Sequence, residues 1–428
     1  MAREIICIHV GGCGLRLGLD FWDTIRREHG LESDGRFVAR GDGLDDERRA
    51  KIEVFFREAS GDRYVPRAAL IDLEPGTLDV IRASPVGSLF RPDNYVFGSS
   101  SAGNNWAKGH YTEGAELLDA VVDVARREVE ACDAPQGFLL FHALGGGTGS
   151  GLGTRVLAKL HDEHPGLIRA SAAVFPSTKV SDVVVEPYNA VLSVRQLLAH
   201  ADLTFVIDNE AVYELVRRAG VSAPREAELN ALITQALSGA TAPLRFPAHA
   251  NGDLRALATN LAPLPKLQFI HVAHAPLALP GARPVRTSLA ELSGQLSDGH
   301  SSLSARTLGP TWAATPVFRG KVSDAAIHEL VDAEAATLAG PRVAWIPTGL
   351  TPSRVRLPAR GANQSATLLA NSQGVKEVFE RLHAQFDRLY KRKAFLHWYT
   401  GEGMAEAEFL AAASDLRQLL AAYAQRAT

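Results

Sequence analysis

Strand-like and helix-like segments alternate along the first half of the chain, and this alternation constrains its fold most strongly. Residues 5–10 form a short apolar run that ends in glycines, and an amphipathic helical pattern follows. Further apolar runs lie at 68–73, 137–144, 168–175 and 203–207, with helical patterns between most of them. Such alternation predicts a mostly parallel sheet covered by helices on both faces. Ligands of such sheets bind in the loops at the carboxyl ends of the strands.

The second half of the chain has a different pattern. A helical window at 226–237 precedes strand-like runs at 267–272, 315–318, 343–346 and 365–369. This region indicates a second α/β unit with a mixed sheet. From residue 374 onward the pattern is helical, and glycines at 401 and 403 separate two amphipathic stretches. The sequence therefore predicts an α/β protein with a parallel-sheet domain at 1–208, a mixed-sheet domain at 209–382 and a C-terminal helical region at 383–428.

Composition limits the function classes. The chain has 428 residues, of which 46% are hydrophobic, and its formal net charge is −3. This balance is typical of a globular protein and offers no overall positive field for nucleic acid or an anionic membrane. Three cysteines disfavour a disulfide scaffold. Because there is no apolar run of about 18 residues and no signal-peptide pattern, we expect a cytoplasmic location and neither a membrane nor a nucleic-acid partner.

The strongest local signal is the glycine-rich run GGGTGSG at 145–151, between a predicted strand and a predicted helix. Glycines let successive backbone N–H groups converge on an anion, and a helix N-terminus adds a favourable dipole. The alternative is a glycine-rich turn that binds nothing. The P-loop pattern and the ordinary dinucleotide fingerprint are both absent, which argues against a P-loop enzyme and a dehydrogenase. A second glycine turn, GGCG at 11–14, begins the first helix.

The glycine-rich run and three other segments resemble tubulins at corresponding places. The run at 145–151 resembles the tubulin signature loop. The other segments are AGNNWAKGHYTEG at 102–114, VVEPYNA at 184–190 and AFLHWYTGEGM at 394–404. The first and last of these three are closest to the β type, and the similarity covers essentially the whole chain in order. The resemblance implies a GTPase domain of the tubulin type, and the abundance of alanine and arginine suits a bacterial or divergent tubulin.

The resemblance also implies a set of site residues. In tubulins, loops after the strands of the first domain enclose GTP. Glu186 matches the carboxylate that faces the ribose, while Asn209 and Asn230 match the amides that read guanine. Glu74 would hold Mg²⁺, through water; without the resemblance it would read as a surface-turn carboxylate. The expected GTP- or GDP-binding residues are Gly11, Gly12, Cys13, Gly14, Asp72, Glu74, Ala102, Gly103, Asn104, Gly145, Gly146, Gly147, Thr148, Gly149, Ser150, Glu186, Asn209 and Asn230.

The sequence departs from tubulins in the first loop and near the base. Gly12, Leu15 and Arg16 stand where tubulins have side-chain amides, and Arg16 adds positive charge. Glu226 stands at the position of the aromatic residue that stacks on guanine. Loss of a stacking ring costs about 1–3 kcal/mol. We therefore expect weaker binding or poorer selection of guanine, with the phosphate contacts retained.

A further departure concerns hydrolysis. In tubulins a loop of the next subunit completes the site and positions water, and the matching loop here is 251–256. Ala256 stands where the α type has a glutamate, and alanine can neither orient nor deprotonate water. Asp253 remains as the candidate catalytic residue, acting on a neighbour's nucleotide. The resemblance thus implies an α-like partner that supplies an acidic loop, and weak or absent GTPase activity in the isolated chain.

Two hypotheses remain for the function. The leading one is a GTP-binding cytoskeletal subunit that polymerises head to tail into protofilaments or microtubule-like filaments, with GTP hydrolysis completed across the subunit interface. Lateral contacts would use the Pro- and Gly-rich loop 277–286. The alternative is a tubulin paralogue that does not hydrolyse GTP and acts as a structural cap or scaffold. Gly12, Glu226 and Ala256 favour the alternative. The intact glycine-rich run opposes it, as do Glu74, Glu186, Asn209 and Asn230.

Overall fold

The computed structural model describes residues 3–425, except 178, 280, 282–285, 298, 300, 340, 342, 344, 345, 347 and 348. Within these residues the strands are β1 (Ile5–Val10), β2 (Phe56–Ala59), β3 (Arg63–Pro66), β4 (Ala68–Asp72), β5 (Tyr95–Phe97), β6 (Gly137–Ala143), β7 (Ile168–Phe175), β8 (Leu203–Asp208), β9 (Phe269–Ala275), β10 (Thr311–Gly320), β11 (Ser353–Val355) and β12 (Gln364–Ser372).

The α-helices within the same residues are α1 (Gly11–Glu28), α2 (Asp45–Arg49), α3 (Gly76–Ala83), α4 (Trp106–Tyr111), α5 (Glu113–Glu130), α6 (Gly153–Glu163), α7 (Glu186–His200), α8 (Asn209–Arg218), α9 (Glu226–Arg245), α10 (Leu254–Leu261), α11 (Leu289–Ser297), α12 (Asp324–Ala339), α13 (Lys376–Tyr390), α14 (Leu396–Thr400) and α15 (Glu406–Gln425). None of these helices combines the length and the apolar composition that a bilayer span requires.

One large sheet organises the molecule. Its ten strands lie in the order β11-β10-β12-β9-β8-β7-β6-β1-β4-β5. From β5 to β9 every neighbouring pair is parallel, whereas β12 runs antiparallel to both β9 and β10. The predicted fold class is thereby confirmed, with a large, mostly parallel sheet and C-terminal helices. The parallel and mixed parts are joined by the β8–β9 pair into one continuous sheet, and β2 and β3 form a separate hairpin.

The parallel strands are buried on both faces, which explains their continuous apolar character. In β1, all six residues are buried. Ile6, Ile8 and Val10 belong to the core beneath α5, α6, α7, α13 and α15, whereas Ile5 and Cys7 face the opposite core beneath α1, α8 and α9. This division follows from the alternation of side chains along a strand. The sheet is therefore enclosed by helices, and its two ends remain available for loops.

Several segments differ in extent from the predicted ones. Helix α9 continues past the predicted window to Arg245. Its second half is buried on all sides and shows no amphipathic pattern, so the sequence did not predict this part of the helix. The predicted C-terminal helix at 375–395 is interrupted after α13, where Lys393 and Phe395 adopt positive φ angles. The run at 343–346 lies partly outside the described residues, and 343 and 346 are not in a strand. The domain division at 208 and 382 stays a prediction.

A buried ionic cluster joins the parallel and mixed parts of the sheet. Glu28, at the end of α1, accepts hydrogen bonds from Arg245 of α9 at 2.8 Å and from Arg319 of β10 at 3.0 Å. Ser238 donates a further bond to Glu28 at 2.9 Å. Burial raises the pKa of Glu28, but the charges of Arg319 and Arg245 outweigh it and lower the pKa to about 2. The carboxylate is therefore ionised at neutral pH.

We predict that Glu28→Gln lowers the free energy of unfolding by about 3–5 kcal/mol at neutral pH, since it leaves two buried arginines without their counter-charge. The folded pKa of about 2 lies below the value of about 4.3 for an unfolded glutamate. The contribution of Glu28 to the free energy of unfolding is thus complete above about pH 4.3 and is lost as the pH falls towards 2. Urea unfolding across this range measures it, with Glu32→Gln, an exposed carboxylate, as the control. Equal stability of the two variants would contradict the prediction.

Candidate functional site

Loops that follow β1, β4, β5 and β6 meet around a cavity of about 230 Å³ at the carboxyl edge of the parallel strands. Most of the predicted nucleotide-binding residues line it. Those that do are Gly11, Gly12, Cys13, Asp72, Glu74, Ala102, Gly103, Asn104, Gly146, Gly147, Thr148 and Gly149. Val10, Ser101 and Ala143 complete the wall. Ser101 had no predicted role, although it directly precedes the predicted third loop.

At most of its glycines, the glycine-rich run approaches its neighbours so closely that a side chain would not fit. A Cβ on Gly147 would lie 2.6 Å from Ala102 Cβ and 2.7 Å from the Asn105 nitrogen. Gly11 has a φ of +74°, and a Cβ there would lie 2.9 Å from the Gly149 nitrogen. Within the described residues, the N–H groups of Gly146 and Gly147 make no hydrogen bond. The run therefore presents unpaired backbone donors to the cavity, as anion binding requires.

Hydrogen bonds of two side chains, His142 and Ser150, stabilise the glycine-rich run. His142 Nδ1 lies 2.7 Å from the Gly149 carbonyl oxygen, and its Nε2 lies 2.9 Å from Ser171 Oγ. Burial lowers the pKa of His142 to about 4, so the ring is neutral and donates from Nδ1 to the carbonyl. Ser150 donates its hydroxyl to the carbonyls of Gly146 and Gly147. Ser150 thus supports the loop and does not line the cavity. Gly14 does not line it either, because it packs against β6.

Asn189 joins three parts of the site. Its amide nitrogen donates to the carbonyl oxygens of Asn104 and Gly145, each at 2.7 Å. Its amide oxygen accepts from the Trp106 nitrogen at 2.9 Å and from the Tyr399 hydroxyl at 2.7 Å. The side chain is fully buried with all these bonds made. Asn189 was part of a matched segment without a predicted role, because its partners are distant in sequence.

The residues predicted to hold the ribose and base do not line the cavity. Glu186 begins α7; its Oε2 is buried without a hydrogen-bond partner, and burial raises its pKa to about 6. A carboxylate oxygen in this state suits a hydroxyl donor such as that of a ribose. Asn209 begins α8 directly after β8, at the same edge of the sheet. Asn230 lies on α9, and its side chain lowers the pKa of Asp20 on α1, although burial outweighs this effect and raises that pKa to about 6.

Asp72 and Glu74 form an acidic corner of the cavity. Asp72 is 3% exposed and accepts a hydrogen bond from the Leu73 nitrogen at 2.8 Å. Burial raises the pKa of Asp72 to about 6, and the charge of Glu74 acts in the same direction. Oxygen donors of this kind suit a hard cation. Among the described residues no group of three or more ligating side chains could hold a metal, so phosphate and water would have to supply most ligands of a magnesium ion here.

The loop 251–256 lies at the other end of the sheet. Arg3, just before β1, pairs with Asp253 Oδ2 at 2.8 Å, and Gln136, just before β6, accepts from the Leu254 nitrogen at 2.6 Å. Asp253 Oδ1 caps α10 by accepting from the Ala256 nitrogen at 2.7 Å. Because β1 has six residues, about 20 Å of strand separates this loop from the cavity. Asp253 is therefore far from the cavity of its own chain.

Comparison with known proteins identifies the family of this chain. The model of the Tubulin/FtsZ family, GTPase domain, matches residues 4–217, which include every residue that lines the cavity. A tubulin beta chain of Aspergillus fumigatus is 48% identical over 427 residues, which is 99% of this chain and 94% of that relative. Half of the chain is thus covered by the family model and nearly all of it by the relative. The chain therefore belongs to the tubulin family, closest to the β type, and is a GTP-binding subunit of the cytoskeleton.

Proposed function

We propose that this chain assembles head to tail with an α-like partner and further copies, and that its GTP is hydrolysed only when the partner's acidic loop completes the site. The observation that carries this proposal is the position of the cavity and of loop 251–256 at opposite ends of the same parallel strands. A loop at the amino ends can act only on the nucleotide of another subunit. Stacking subunits with their sheets in the same direction brings the two surfaces together.

The cavity residues suggest how the nucleotide is held. The free N–H groups of Gly146 and Gly147 and the N-terminus of α1 contact the phosphates. Glu186 accepts a hydrogen bond from the ribose with its unpartnered oxygen. Asn209 and Asn230 read the guanine edge, where an amide matches both donors and acceptors. Glu74, beside Asp72, would hold magnesium, and the bound ion would neutralise phosphate charge.

Loop 251–256 of this chain is poorly suited to activate water. Both oxygens of Asp253 are engaged, one with Arg3 and the other with the N-terminus of α10. Ala256 offers no polar group. A general base must reach the proton that it removes, and the bonds that Asp253 makes within its own chain hold its carboxylate against the loop. An α-like partner with an acidic residue at the position of Ala256 therefore hydrolyses the nucleotide of this chain, whereas the partner's own nucleotide persists against this loop.

The hydrogen bonds that engage both oxygens of Asp253 also support a second candidate function, that of a non-hydrolysing cap or scaffold. If no acidic partner exists, the engaged Asp253 leaves the nucleotide unhydrolysed in every interface. Sedimentation with GTP, alone and with a candidate α-like partner, distinguishes the two functions when phosphate release is measured in parallel. Release that requires the partner supports the GTPase subunit, and bound nucleotide without any release supports the scaffold.

We predict that Ala256→Glu allows the chain to hydrolyse GTP without a partner, because the new carboxylate restores a general base in the interface. The gain in phosphate release per assembled subunit is expected to be about 10²–10⁴-fold. Ala256→Gln is the matched control, since it has nearly the same size and no acid. Turnover by the unmodified chain alone at the rate of the mixed assembly would contradict this prediction.

We also predict different effects from adding a methyl group at neighbouring glycines. Gly147→Ala is expected to lower the free energy of unfolding by about 1–3 kcal/mol, because its Cβ would clash with the adjacent loop. Gly146→Ala should unfold like the unmodified chain, since the atom nearest to its Cβ is Asn104 Oδ1 at 3.9 Å. Both should bind GDP more weakly, as measured by calorimetry. Unchanged GDP affinity in Gly146→Ala would show that the phosphates bind elsewhere.

A further inference from the structure

Two residues that depart from the family pattern are paired with each other. Arg16 lies on α1 and Glu226 begins α9, and Arg16 Nη1 is 2.5 Å from Glu226 Oε2. The two side chains are 55% and 48% exposed. An ion pair that is exposed to this degree contributes little to the stability of a fold. Its position beside the cavity therefore suggests a role in binding.

The pair lies next to the cavity wall. Arg16 follows Cys13 by three residues and so projects from nearly the same face of α1. The charges of Glu226 and Arg16 both act on the thiol of Cys13, whose pKa burial raises to about 12, and Arg16 also acts on Asp72. Cys13 and Asp72 both line the cavity. The guanidinium of Arg16 is thus close to the space where a bound nucleotide would lie.

A second contact between the same helices repeats the arrangement one turn further on. The side chain of Asn230 on α9 acts on the carboxyl group of Asp20 on α1 and opposes the rise in its pKa that burial causes. Each stands four residues after its counterpart in the Arg16–Glu226 pair, so both contacts lie on one face of each helix. Helices α1 and α9 therefore present an ordered polar surface beside the cavity, and Arg16 is the member of it with an exposed planar group.

We propose that Arg16, held in place by Glu226, provides the surface on which the nucleotide base stacks in this chain. The inference rests on the proposed function, because it requires a nucleotide in the cavity. A guanidinium is planar and stacks on aromatic rings, whereas a carboxylate does not. Glu226 contacts the guanidinium through Nη1, and more than half of the Arg16 side chain stays exposed. Stacking of this kind tolerates any base, so selection of guanine remains with hydrogen-bonding groups such as Asn230.

The test compares GDP with inorganic tripolyphosphate, which has phosphates but no base. Arg16→Ala and Arg16→Lys are each expected to weaken GDP binding about tenfold, in line with the loss of one stacking contact. Lysine keeps the charge and can keep the ion pair, but it has no planar face. Affinity for tripolyphosphate should be unchanged in both variants. Glu226→Gln should have a smaller effect on GDP, because the guanidinium remains. Arg126→Ala, which removes an exposed ion-paired arginine of α5, is the matched control.

The other possible results distinguish failure of the stacking inference from failure of the proposed function. If Arg16→Ala and Arg16→Lys bind GDP as tightly as the unmodified chain, the inference is wrong and the proposed function stands. If Arg16→Ala loses GDP and tripolyphosphate affinity equally, Arg16 contacts phosphate and stacking is excluded. If the unmodified chain binds neither ligand, the proposed function itself fails. Thermal unfolding of the Arg16 variants alongside Arg126→Ala checks that all of them are folded.

Discussion

The buried amide of Asn189 is the interaction on which the site depends most. The glycine-rich run has few side chains of its own, so hydrogen bonds to its carbonyl groups help to fix its conformation. Asn189 fixes it to the neighbouring loop, and the same amide connects both to Tyr399 near the C-terminal helices. A buried donor or acceptor left unpaired costs about 1–3 kcal/mol, and displacing any one of these segments would leave the amide partly unpaired. The geometry of the site therefore depends on loops of the parallel part of the sheet and on α14, the C-terminal helix that contains Tyr399.

The direction of the parallel strands gives the molecule its polarity. All the loops that line the cavity follow strands, whereas the loop with Asp253 packs against residues that precede β1 and β6. A contact between such different surfaces is heterologous, and repeated heterologous contacts that do not close into a ring produce open filaments. Helix α1 begins at the cavity and ends at Glu28 in the buried ionic cluster. The same helix therefore connects the candidate nucleotide site to the mixed part of the sheet.

Local patterns predicted the features that depend on nearby residues. Continuous apolar runs such as Ile5–Val10 identified buried parallel strands, and the glycine-rich run identified the cavity wall. Contacts between distant segments could not be predicted in this way. The β8–β9 pair that makes the sheet continuous, and the contact of Asn189 with Tyr399, join segments without any shared local pattern. The second half of α9 was missed because a helix buried on all sides has no amphipathic period.

Arg16 and Glu226 illustrate what the sequence alone hides. Taken separately, each looks like the loss of a nucleotide contact, and together they favoured a chain that binds guanine poorly. The structure joins them across 210 residues into one ion pair beside the cavity. Similarly, the sequence alone gives Asp253 no partner, but its two oxygens accept hydrogen bonds from Arg3 and from the N-terminus of α10. In the proposed assembly, Arg16 and Glu226 thus preserve nucleotide binding. The interface loop of this chain, in contrast, does not activate hydrolysis of the partner's nucleotide. A filament of this chain and an acidic-loop partner would therefore hydrolyse GTP at alternate junctions only.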